Sequence, residues 1–195
     1  MKLAAREVSR YCARPDPEAP GLLLFGTDPM RIAHRRQQAV AALLGPEGEA
    51  EMRLSRIDAA ELRRDPALLI DAVTSQGFFP GRCVVLVEEA TDTLAETIGA
   101  ALEAWRPGDA CILVTAGALK PASKIRKLFE AHPAARAGGI YDDPPGREEI
   151  HADLATAGLR DVPGEALEAL VALSRALDPG DFRQTLERIA LYKLS

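Results

Sequence analysis

Short runs of consecutive apolar residues punctuate the first two thirds of the chain: GLLLFG (21–26), RCVVLVEE (82–89) and DACILVTAG (109–117). Each is short, rich in Val, Ile or Leu, and bounded by glycine, proline or charge. That pattern belongs to a strand covered on both faces. Between these runs the spacing changes to that of a helix. Ile32, Ala39, Val40, Leu43 and Leu44 form one stripe through 28–44, and Leu94, Ile98, Leu102 and Trp105 form another through 93–105, closed by Pro107-Gly108. The segment 65–75 reads as a short helix with the proline of DPALL at its second position, and ALKPASKIRKLFEAHP as a basic helix with Ile125, Leu128 and Phe129 inward. EMRLSRI (51–57) alternates as a strand does after the loop GPEGEAE, and 135–141 reads as a final strand. The N-terminal MKLAAREVSRYCARPD shows scattered arginines and no apolar core segment. Strands alternating with helices predict an α/β domain built on a parallel sheet with both faces covered.

The pattern changes at DDPPG (142–146), where two acids, two prolines and a glycine read as a hinge. Beyond it only helical periodicity remains, over 147–157, 164–173 and 179–194. The expectation is two domains, 1–141 and 142–195. A length of 195 residues, 47% hydrophobic and 27% charged, suffices for one substantial domain and a small one. The net charge of -5 falls on the tail: 1–140 holds 18 acidic and 18 basic residues, 141–195 holds 11 and 6. Overall charge therefore gives no reason to expect a free-standing nucleic-acid binder. Cys12, Cys83 and Cys111 are odd in number and widely spaced, which suggests neither a disulfide framework nor a zinc site and fits a reducing cytoplasm. No stretch approaches the length of a membrane span.

A strand, a glycine and a helix open the α/β domain where a phosphate-binding loop would lie, but FGTDPMRIAH fails the pattern GxxxxGKS/T. No second glycine, lysine or Ser/Thr stands at the required spacing. Asp28 at the helix start opposes the phosphate that a helix N-terminus otherwise attracts. VVLVEEAT places Glu88 and Glu89 like a magnesium-holding carboxylate, yet without a phosphate loop the metal has nothing to bridge. His34, His132 and His151 lie apart and read as surface positions, so no cofactor or metal is expected. SKIRKLFE brings Lys124, Arg126 and Lys127 around one turn as a possible phosphate or DNA contact, or simply a solvated face; Ser123 is a candidate cap. TSQGFFPGRC poses the remaining question. Phe78 and Phe79 lie between Gly77 and Pro80, either folded back into the core or held outward by a turn.

The order of these features resembles the delta subunit family of the bacterial DNA polymerase III clamp loader. The resemblance runs along nearly the whole chain: the MKL start leading to LLLFGTD, the GFF segment before GRCVVLVEEATD, GALKPASKIRKLFEAH, the IYDD hinge and DPGDFRQTLERIALYK. Thr185 stands where that family commonly has an acid, and LDPGD replaces a glycine-rich turn. The resemblance implies an AAA+ type (RecA-like) α/β domain with a degenerate phosphate loop at 1–141, a small helical lid at 142–195, and no collar domain after ALYKLS. It implies no ATP hydrolysis by this chain and no cofactor. The implied partners are the ring-shaped sliding clamp (beta subunit), the other loader subunits (gamma/tau and delta prime) and primed DNA in the assembled complex, with a cytoplasmic location and no membrane. Phe78 and Phe79, with Gln76 and Gly77, match the family's clamp-binding position, where an exposed hydrophobic pair fills a pocket on the clamp. Two other readings stand beside it. One is a nucleotide-binding α/β enzyme using Glu88, Glu89 and Arg126 around an unconventional phosphate site; the other is an adaptor docking through its helical tail.

Overall fold

The computed structural model describes residues 1–75, 77, 79–140, 146–159, 161–177 and 179–194. In chain order the elements of the first part are β1 (Lys2–Leu3), α1 (Ala5–Ala13), β2 (Gly21–Gly26), α2 (Pro29–Leu44), β3 (Leu54–Asp58), α3 (Ala59–Arg64), α4 (Ala67–Thr74), β4 (Val84–Glu88), a 3-10 turn (Asp92–Leu94), α5 (Ala95–Ala104), β5 (Cys111–Ala116), α6 (Lys124–Ala131) and β6 (Arg136–Ile140). The helices α7 (Arg147–Thr156), α8 (Gly164–Ser174) and α9 (Pro179–Leu194) follow. Packing divides the chain into two units, Met1–Tyr141 and Asp142–Ser195.

In the first unit six parallel strands lie in the order β1-β6-β2-β5-β4-β3, with β2 paired to β5 and β6 on either side. This parallel sheet with flanking helices is an α/β architecture. Its central strands are apolar because each face feeds a different core. Leu23, Phe25, Val85, Val87, Ile112 and Val114 pack with Leu69, Val73, Ile98, Leu102, Ile125 and Phe129 of α4, α5 and α6. The intervening residues Leu22, Leu24, Val84, Leu86 and Leu113 pack with Val8 and Cys12 of α1 and Ile32, Ala39, Val40 and Leu44 of α2. At Gly26 a side chain would collide with the neighbouring strand, because an added Cβ lies 2.1 Å from the Ile140 carbonyl oxygen. The second unit has its own core of Ile150, Leu154, Leu167, Leu170, Phe182 and Leu186. No described helix is long and apolar enough to cross a membrane.

Local differences from the sequence pattern have physical causes. The N-terminal stretch is not featureless: β1 pairs with β6, and α1 buries Val8 and Cys12 one turn apart, too brief a stripe to stand out as a periodic pattern. The six-residue α3 was also hidden; it is started by Asp58, whose carboxylate accepts from Ala60 N at 2.6 Å. β3 begins at Leu54 rather than 51, since Met52 has φ 55 and cannot continue a strand. α4 begins at Ala67, with the Asp65 carboxylate accepting from Ala67 N at 3.1 Å.

Candidate functional site

The connection from α4 to β4 leaves the body of the sheet at its amino-terminal edge. Ser75 ends α4 with its N–H on the Asp71 carbonyl, and Gly77, Phe79, Pro80 and Gly81 are exposed. Phe25, Phe129 and Phe182 are all at most 3% exposed, whereas Phe79 is 43% exposed. Gln76 and Phe78 lie outside the described residues. The turn depends on glycine. Gly81 has φ 124, and a Cβ there would lie 2.9 Å from the Arg53 guanidinium; a Cβ on Gly77 would lie 3.2 Å from Cys83 Sγ.

The opposite, carboxyl-terminal edge of the sheet carries the start of α2. Asp28 caps this helix, accepting from Met30 N at 2.8 Å and Arg31 N at 3.2 Å, and Pro29 offers no N–H. The donors that could cradle a phosphate are thus held by a carboxylate of the same chain. Across the edge, Glu88 forms an ion pair with Arg36 of α2. Glu89 is exposed with φ 53.

On α6 the structure corrects the sequence reading. Lys124 and Lys127 are exposed, but Arg126 is only 8% exposed and does not share their surface. Its Nε donates to Glu130 at 2.9 Å, its Nη1 donates to the Leu119 carbonyl at 3.3 Å, and its guanidinium lies 5.1 Å from the centre of the Phe25 ring. With these partners, Arg126 holds the helix to the sheet rather than standing on the exposed face with Lys124 and Lys127. Ser123 caps α6, its hydroxyl accepting from Arg126 N at 3.4 Å while donating to Asp92 at 2.6 Å. Asp92 also accepts from Ile125 N at 3.1 Å, and the Ser123 hydroxyl is the main cause that holds its carboxyl below the usual value. Sequence reasoning missed Asp92 because its partner helix lies more than thirty residues away.

No protein-family model matches this sequence, and no curated protein does. The fold resembles that of a solved clamp loader delta protein. The Bacillus subtilis DNA clamp loader delta protein (YqeN) superimposes with a TM-score of 0.65 at 16% sequence identity, over 97% of this chain and 57% of that one. Domain III of the Thermotoga maritima replication initiation protein DnaA superimposes with a TM-score of 0.47 at 10% identity, over 97% of this chain and 82% of that one. At these identities the likeness concerns the fold alone, a parallel sheet with flanking helices. This chain spans a little more than half the length of the clamp loader protein.

Among the described residues, the remaining histidines and cysteines do not gather into a metal-binding group. His34 and His132 are half-buried and His151 is exposed, and no group of three or more His, Cys, Asp or Glu among the described residues could hold a metal ion. The three cysteines are free thiols. Burial pushes Cys12 up to about 12 and Cys111 up to about 11, so both stay protonated and unreactive.

Proposed function

We propose that this chain is a non-catalytic clamp-loader subunit that binds the ring-shaped sliding clamp and helps to open it for loading onto primed DNA. In this reading residues 1–141 are the clamp-binding AAA+ type domain and 142–195 the helical lid. Other loader subunits supply the ATP turnover, within a cytoplasmic DNA polymerase holoenzyme. Phe78 and Phe79 are the docking pair, with Gln76 and Gly77 in supporting roles. The observation that carries the reading is the exposure of Phe79 on a glycine-bounded turn, in a protein whose other described phenylalanines are buried. A ring presented this way offers a large apolar area and few rotors to freeze on docking. Asp28 on its own helix and Arg36 on Glu88 add support, since both occupy groups that nucleotide chemistry would use.

The test compares clamp affinity with thermal stability for Phe78→Ala and Phe79→Ala. Loss of a docking anchor lowers affinity roughly thirtyfold per ring, about 2 kcal/mol, with a melting temperature near that of the wild type. A core ring behaves in the opposite way, costing about 3–5 kcal/mol of folding stability and leaving the affinity of the folded fraction intact. That second outcome, or full binding by both variants, would end the proposal.

A further inference from the structure

Arg53 ties the turn that carries Phe79 to a loop 29 residues away in sequence. Arg53 is only 8% exposed and each nitrogen of its guanidinium donates to a different partner. Nη2 donates to the Leu44 carbonyl at the end of α2 at 2.8 Å, Nε donates to the Glu51 carboxylate at 2.7 Å, and Nη1 donates to the Arg82 carbonyl at 3.0 Å. The backbone of Gly81 lies directly against this group, with no room for a Cβ between them. The main chain of Arg53 continues the tie, its carbonyl accepting from Val84 N at 2.9 Å where β4 begins. Among the described residues of 77–82, the Arg53 bond to Arg82 is the only hydrogen bond that the turn's backbone receives from another loop.

We propose that Arg53 is the positioning residue of the docking turn. By fixing Gly81 and Arg82 it holds Phe79 outside the core before any partner arrives, so that docking does not have to order the turn. A planar guanidinium suits this task because one group reaches a helix end, a carboxylate and the turn at once; a lysine ammonium is a point charge on a flexible stem and does not reproduce the fork. The inference rests on the docking role of Phe79 argued above.

The experiment measures affinity of the full chain for its cognate sliding clamp, well below the melting temperature, for Arg53→Met and Arg53→Lys, each alone and combined with Phe79→Ala. Hydrogen exchange of the free chain is followed in parallel. Arg53→Met is expected to weaken binding roughly tenfold, Arg53→Lys to recover only part of that loss, and neither to weaken binding further once Phe79 is alanine. The Val84 amide, which donates to the Arg53 carbonyl beside the turn, should exchange faster in both variants while those of β5 do not change. A purely structural role would lower the melting temperature without this dependence on Phe79. Wild-type affinity in both Arg53 variants, losses that multiply in the Phe79→Ala background, or unchanged exchange of the Val84 amide each overturn the positioning role alone. If Phe79→Ala binds the clamp as the wild type does, the docking reading falls and this inference with it. Should Arg53→Met fail to fold, the milder Arg53→Lys carries the same comparisons.

Discussion

Asp28 takes two of the donors that the first turn of α2 offers, Met30 N and Arg31 N, and Arg36 of the same helix neutralises Glu88. An incoming triphosphate would meet a carboxylate where it needs bare N–H groups, and a magnesium ion would have to displace an arginine. Calorimetry with ATP and magnesium is therefore expected to show no binding at micromolar affinity, about 8 kcal/mol. Asp28→Ala should lower stability by about 1 kcal/mol as the cap is lost, without creating a nucleotide site, because the Arg36 pair remains. A micromolar site in either protein would favour the enzyme reading. The conflict at Asp28 was legible in the sequence, since charge and position alone define it. The pairing of Arg36 with Glu88 was not, because the two residues are 52 positions apart. Arg126 misled for a related reason: its neighbours on α6 are exposed lysines, yet a guanidinium can be satisfied inside when Glu130, a carbonyl and an aromatic face converge on it.

Whole elements were readable where burial on both faces leaves a continuous apolar run, as in β2, β4 and β5, or where a helix is long enough to repeat its stripe, as in α2. They were not readable where two or three contacts suffice. α1 is secured by Val8 and Cys12, and β1 by register with β6. The C-terminal end of α6 shows such local support and yields a pH dependence. His132 caps this helix end, and its Nδ1 accepts from Ala134 N at 3.1 Å and Ala135 N at 2.9 Å. Partial burial, then the Met1 ammonium and Arg136, hold the imidazole below its ordinary value of 6.5. The folded chain thus binds fewer protons than the unfolded one between these two values. The stabilisation is complete above about 6.5 and is lost as pH falls through the lowered value. Melting temperatures recorded from about pH 7 to about pH 5 should decline in the wild type. His132→Asn, which retains an acceptor but does not titrate, should flatten that part of the profile; an identical slope in both proteins would assign it to other groups.

At the scale of the molecule, the two units have separate cores and unequal charge. The first holds two apolar layers around a sheet, while the second relies on one small cluster from three helices, a size at which independent stability is marginal. A fragment of residues 1–141 is expected to melt cooperatively and to bind the clamp within about twofold of the full chain, since the turn and Arg53 both lie within it. Residues 142–195 alone should show weak, broad unfolding. Circular dichroism on both fragments and a clamp titration of the first check this, and a fragment 1–141 that folds but does not bind would move recognition to the helical tail.

The parallel run of the sheet collects the amino ends of its strands on one rim and the carboxyl ends on the other. Phe79 stands before β4 on the first rim, and Asp28 and Glu88 stand after β2 and at the end of β4 on the second, about 17 Å away for strands of this length. Substitutions on either rim therefore leave the other's surface intact. If the turn before β4 is the docking surface proposed above, a small molecule aimed at it would have no reason to resemble a nucleotide.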